Sequence, residues 1–271
     1  MVSIRDVQLY ELNALKDIVS VLDAAGIEYM LAAGTAIGAV RHQGFIPWDD
    51  DIDLFMTLKN YKKFLKEGQK LLGDKYFIQN YRTEKHYNEM WTQIRCSGTT
   101  SMPKKLKDWD INWGICIDVF PIVGTSSDPN VRRKQERALA FNRLLLSDSY
   151  LKASGMTITP KMKLLFLIPR AIRKLICIAN EKRIFLSEDQ CDSCTTIWHK
   201  LDGLFRKGIF NGVSRIKFED DSFFIMNNYD EYLTDYYGDY MTLPDESERT
   251  GHQGELGEIV FDLNNSYLNY K

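Results

Sequence analysis

Four carboxylates crowd into five positions, Asp49, Asp50, Asp51 and Asp53, within the segment GFIPWDDDIDLFM. In an extended chain, residues two apart share a face, so Asp49, Asp51 and Asp53 would converge while Asp50 and Ile52 point away. Three like charges on one face repel strongly, and the crowding is tolerated at low cost only when a cation neutralises it. An all-oxygen donor set selects a hard divalent ion, magnesium or manganese. Held by two or three carboxylates, such an ion keeps positions open for phosphate oxygens and offsets charge that develops during phosphoryl transfer. The competing reading is a solvated acidic loop after Pro47. Trp48 before the acids and Leu54, Phe55 and Met56 after them weigh against it, because they anchor the cluster to a core strand.

A rigid metal site needs a further ligand from a neighbouring strand. Asp118, in GICIDVFPI, meets that need. A lone acid inside an apolar strand is costly to bury unless it is metal-bound or, as the alternative, paired in a salt bridge. Upstream, Gly34 and Thr35 follow a short apolar strand at 29–33 and open a small-residue segment through Gly38. Glycine lets backbone N–H groups approach an anion, and a helix start favours negative charge, so this pair is a candidate phosphate cradle. Arg41 adds a planar fork for phosphate and His42 a titratable donor, although a structural hydrogen bond accounts for His42 equally well.

The elements that must position these groups follow from periodicity. Ile4, Val7, Leu12, Leu15, Val19 and Leu22 recur at helical spacing up to Gly26, a favourable helix end. Residues 52–56 and 115–120 read as strands, and 61–72 as a lysine-rich surface helix. Between 75 and 101, β-branched and aromatic residues with a turn at Gly98 predict two or three antiparallel strands. Asp128-Pro129 marks the start of a helix filling much of 129–150, and 213–237 returns to strand, turn and helix. The last thirty residues are polar and turn-rich. These elements divide into a core at 1–125, a helical insertion at 126–205 and a C-terminal strand-helix region at 206–271.

Composition bounds the rest. A chain of 271 residues, 44% hydrophobic and 27% charged, can bury one substantial core or a core with a smaller lobe. Its formal charge of -2 provides no global attraction for nucleic acid, so any polyanion or membrane contact must be local. The N-terminus lacks the pattern of a secretory signal, and no apolar run approaches the ~18 residues of a spanning helix, which together suggest a cytoplasmic protein. Residues 161–183 mix aliphatic side chains with seven Lys and Arg residues around Glu181, a pattern that suits a helix on an anionic membrane or a helical lid with a solvated basic face. Pro169 interrupts it. The five cysteines are scattered and read as free thiols; Cys191, Cys194 and His199 offer a weak zinc-type set without a fourth ligand.

At the acid-rich segment the sequence resembles the LicD family, whose members are similar to the fukutin-related proteins and share a nucleotidyltransferase-type fold. The resemblance rests on Gly34-Thr35, on Gly38-Ala39-Val40-Arg41-His42, and on the string from Gly44 to Asp53. It continues at Ile117-Asp118-Val119-Phe120-Pro121, Tyr232-Leu233, Tyr237-Gly238-Asp239-Tyr240 and Leu243-Pro244, with Asp245 where the family commonly has a second proline. The resemblance implies an α+β fold, a mixed sheet flanked by helices. It also implies Asp51 and Asp53 as paired metal ligands, Asp118 as the third and Asp49 as a supporting acid, with catalysis resting on Asp51, Asp53 and Asp118. The activity implied is transfer of phosphocholine from CDP-choline to a sugar of a cell-surface glycan precursor, of teichoic acid or lipopolysaccharide type and lipid-linked, or transfer of ribitol or glycerol phosphate from its CDP donor. Choline would need aromatic walls, for which Trp91, Trp109 and Trp113 are candidates. True nucleotidyl transfer from a nucleoside triphosphate and a membrane-associated scaffold with a decayed site are the competing readings.

Overall fold

The structure, a computed structural model, describes residues 2–251 and 257–270. Helix α1 (Ile4–Ala24) is closed at its start by a capping box between Ser3 and Asp6. Val7, Leu15, Ile18 and Leu22 face the core from it, and Gly26 ends it at a positive φ of 62°. Strand β1 (Met30–Leu31) leads into the short α2 (Ala33–Ile37), which a π turn extends to His42. Strand β2 (Ile52–Thr57) and helix α3 (Leu58–Leu72) follow, the latter capped by Thr57.

Next come β3 (Tyr76–Gln79), β4 (Thr92–Cys96) and β5 (Thr100–Pro103), then the long β6 (Cys116–Thr125). The main sheet runs β1-β2-β6-β4-β3. Its β2 and β6 are parallel, with Asp53 opposite Asp118, while β4 runs antiparallel to β6 with Gln93 opposite Asp118. The expected turn at Gly98 is present at φ 82°, but β5 does not join β4. It pairs instead with a strand from the tail.

The predicted helix after Asp128 is α4 (Pro129–Leu146), with the Asp128 carboxylate accepting from the Asn130 N–H at 2.8 Å. Helices α5 (Asp148–Ala153), α6 (Pro160–Phe166) and α7 (Arg170–Asn180) follow, and Pro169 separates the last two. The far end of β6 pairs with β7 (Ser193–Ile197), which pairs with β8 (Leu201–Arg206). A hairpin of β9 (Val213–Phe218) and β10 (Asp221–Met226) precedes α8 (Tyr229–Tyr237), and β11 (Ile259–Asp262) closes on β5. The tail, read as polar and turn-rich, also contributes a strand; residues 252–256 of it lie outside the described residues.

This is the α+β architecture expected: a mixed sheet with helices around it. One apolar cluster packs α1, α3 and the C-terminal hairpin on the sheet through Leu15, Ile18, Phe64, Phe120 and Phe218. A second joins Tyr87, Trp109 and Trp113 to Leu139, Leu145 and Cys177 of the helical unit. The acids lie where the two clusters meet.

Candidate active site

The parallel register of β2 and β6 sets Asp53 beside Asp118, and Asp51 joins them from the residues leading into β2. Carboxylate oxygens of Asp51, Asp53 and Asp118 all lie within 4.8 Å of one another. Three hard oxygen donors at that separation suit a divalent ion of the magnesium type. The Asp53 N–H donates to the Thr35 hydroxyl at 2.9 Å, and the Ala32 N–H donates to the Asp53 carbonyl at 3.0 Å, so both sides of the Asp53 backbone are pinned. Between those anchors Ala33 adopts a left-handed φ of 44°, a strained turn of the kind that accumulates at functional sites.

The expected alternation fails N-terminal to this point. The strand begins only at Ile52, so Asp49, Asp50 and Asp51 lie on irregular chain after the turn at Pro47-Trp48 rather than on a pleat. Asp50 does not point away from the site: it lines the same cavity as Asp51 and Asp118. Asp49 stands outside the three-acid cluster but lines an adjoining pocket with Asp51 and Asp53. A Cβ on Gly34 would come within 2.6 Å of an Asp49 carboxylate oxygen, so glycine is required there for close approach of an acid.

The larger cavity, about 400 Å³, is lined by the acids Glu11, Asp50, Asp51 and Asp118 together with the aromatic residues Trp91, Trp109, Trp113, Trp198, Tyr87 and Tyr150. The smaller, about 210 Å³, is lined by Gly34, Asp49, Asp51, Asp53, Trp198, Tyr237 and Gly251. Asp51 and Trp198 belong to both. Strand alternation explains the larger wall: Trp91, Gln93 and Arg95 share one face near β4, beside Cys116, Asp118 and Phe120 of β6. Trp91 packs on Phe120 at 5.6 Å and on His199 at 4.9 Å between ring centroids.

Several residues of this site escaped the sequence reading. Glu11 of α1 is fully buried, and its Oε2 has no hydrogen-bond partner. Burial, then the charges of Asp51, Asp50, Asp49 and Asp118, hold its proton affinity well above the ordinary carboxyl range. Asp53 is raised likewise, by burial first and then by Asp51, Asp118, Asp49 and Glu11. Glu89 accepts two hydrogen bonds from Arg143 of α4, at 2.9 and 3.1 Å, and lies 3.5 Å from His199. Position 11 falls on the apolar stripe of α1, four residues from Val7 and from Leu15, which is the signal that could have found it.

Other expected site residues lie elsewhere. Arg41 and His42 line neither cavity. The Arg41 guanidinium donates to the carbonyls of Tyr240 (2.7 Å) and Thr242 (3.3 Å), so it ties down the C-terminal segment. Burial and Arg41 lower the His42 pKa, and its ring lies edge-on to Trp48. Thr35 spends its oxygen on the Asp53 backbone. Cys191, Cys194 and His199 do not form a ligand cluster among the described residues. The Cys194 thiol faces the Arg206 carbonyl at 3.3 Å, while His199 turns into the aromatic cavity.

Comparison with known proteins agrees with this geometry. Residues 26–127 match the family model described as LicD/FKTN/FKRP, nucleotidyltransferase domain. The chain is 30% identical to the lipopolysaccharide cholinephosphotransferase LicD of Haemophilus influenzae, over 95% of this chain and 98% of that protein. It is 45% identical over 53 residues to the ribitol 5-phosphate transferase FKRP of Homo sapiens, covering 18% of this chain and 11% of that one. A sheet with acids on adjacent parallel strands, matched to a relative along nearly its whole length, makes this chain a member of the LicD family and a LicD-like phosphotransferase.

Proposed function

We propose that the chain transfers phosphocholine from CDP-choline to a sugar hydroxyl of a cell-surface glycan precursor, with magnesium at Asp51, Asp53 and Asp118 and Asp49 in support. The observation that carries this reading is one cavity lined both by carboxylates and by four tryptophans. A quaternary ammonium ion makes no hydrogen bonds and is held by aromatic faces. A phosphate needs the opposite, a cation among oxygens. The donor presents both a short distance apart, and so does the cavity. The buried Trp91 Nε1 and Tyr87 hydroxyl, neither with a hydrogen-bond partner, leave donors for a polar ligand at the same wall.

Magnesium, when bound, offsets the charge of the transferring phosphoryl group. The protein's part is orientation and proton movement. The aromatic walls hold the head group and keep water from it, and the β2–β6 register sets two carboxylates side by side. The acceptor hydroxyl attacks the phosphorus bearing choline, the bond from that phosphorus to the bridging oxygen breaks, and CMP leaves. A strand carboxylate, Asp118 or Asp53, takes the hydroxyl proton.

The test is a screen of CDP-choline, CDP-ribitol, CDP-glycerol and CTP with magnesium, with and without a glycan acceptor. CMP release from CDP-choline that requires acceptor is the expected outcome. Trp91→Ala or Trp198→Ala should raise the KM for CDP-choline by about tenfold, the worth of one desolvated cation–ring contact. Faster turnover of CDP-ribitol, or pyrophosphate released from CTP, would overturn the assignment.

A further inference from the structure

Helix α7 is built inside out. A surface helix ordinarily turns apolar side chains to the core and polar ones to water. Here Arg173 (2% exposed), Cys177 and Asn180 face inward, while Leu175 is 65% and Ile172 48% exposed. The inward polar groups are satisfied. Arg173 donates to the Ile168 carbonyl at 2.9 Å, to Asp148 at 2.7 Å and to the Leu145 carbonyl. Asn180 donates to the Ala138 carbonyl at 3.1 Å and to Asn142 at 2.9 Å. Rolling the aliphatic side inward would strip a buried guanidinium of its partners, so the outward apolar face is held in place.

Leu164 (70% exposed) on α6 and Leu167 (77%) just after it are exposed as well. Lys161, Lys163, Lys182 and Arg183, in the same stretch of chain, are exposed too. The acid in this stretch, Glu181, is engaged by Tyr81 and Arg82. The exposed side of this stretch therefore combines aliphatic side chains with cations.

We propose that this face seats the protein on an anionic lipid surface, its leucines entering the headgroup boundary and its lysines and arginine meeting lipid phosphates. Charge decides between occupants. A second copy docked face to face would bring cations against cations, whereas an anionic bilayer complements both the aliphatic side chains and the cations. No helix among the described residues is long and apolar enough to cross a membrane, so the contact is peripheral. The same helical unit sends Arg143 of α4 and Tyr150 of α5 into the aromatic cavity.

Co-sedimentation of the full chain with vesicles tests this without any donor, so its result is independent of the proposed transfer reaction. Binding is expected to vesicles of phosphatidylglycerol and phosphatidylcholine in equal parts, weaker binding to phosphatidylcholine alone, and loss at high salt. Leu167→Asp with Leu175→Asp should weaken binding at least about tenfold, while Leu204→Asp, at an exposed position on β8, should not. Retained secondary structure by circular dichroism and unchanged turnover on a soluble acceptor separate loss of docking from loss of fold. Failure of the wild-type chain to sediment with anionic vesicles, or equal binding by the double variant, would overturn the proposal. So would a dimer in light scattering that Leu175→Asp dissolves, because the face would then belong to a second copy.

Discussion

Glu11 is the residue whose chemistry is most at odds with its surroundings. Buried beside four aspartates, it and Asp53 hold their protons more tightly in the folded chain than in the unfolded one. A group of this kind favours folding at low pH, and its contribution is lost as pH rises from the ordinary carboxyl range of about 4 toward the raised folded value. The ion-free protein should therefore lose thermal stability as pH rises above about 4.5. Glu11→Gln should flatten that decline and raise the neutral-pH Tm by about 2–4 °C for each kcal/mol of desolvation and repulsion removed. Melting curves across the range check this, and a steeper decline in the variant would refute it. Asp53 and Asp118 were legible because an acid in an otherwise apolar strand stands out. Glu11 was not singled out, because an acid in an amphipathic helix is ordinarily on the wet face.

At the scale of the element, the site depends on how β2 begins. Thr35, on α2 just after β1, accepts the Asp53 N–H at the point where the strand takes over from the acid-rich segment. Thr35→Val keeps the shape but removes the oxygen, leaving a buried N–H unsatisfied at a cost of about 1–3 kcal/mol. Denaturant unfolding should show that loss, and turnover should fall with it because Asp53 is no longer held; unchanged stability would show that the bond is dispensable. Most of the elements could be read from periodicity, from the capped α1 to the Asp128-Pro129 start of α4. Residues 52–56 read as the strand that β2 is, but the alternation carries the pleat too far back, over Asp49 and Asp51, since WDDDID alternates as convincingly in irregular chain as in a strand. Arg41 and His42 misled for a related reason: nearness along the chain placed them beside the acids, whereas the π turn directs Arg41 to the tail.

The aromatic cavity is a property of the whole molecule. Glu89 precedes β4, Arg143 ends α4, and Trp198 and His199 lie in the β7–β8 turn. No spacing in the sequence joins them, because the helical unit must fold onto the sheet before they meet. The three tryptophans named from sequence do line the cavity, but Trp198, shared by both cavities, became apparent only in the fold. Arg143→Met should leave Glu89 without its bidentate partner, lowering stability by about 1–3 kcal/mol. Donor KM should rise more than kcat falls, since the pair shapes the wall away from the reacting acids. Steady-state kinetics check the split, and a loss confined to kcat would place Arg143 in the chemical step instead.

The most direct test of the account is CMP release from CDP-choline as magnesium is varied from chelated to saturating, for the wild type and for Asp118→Asn. Wild-type release should rise with magnesium and vanish in chelator, and the variant should fall by about 10²–10⁴-fold at every concentration. Undiminished release in chelator, or an Asp118→Asn enzyme as fast as the wild type, would contradict a metal site shared between β2 and β6.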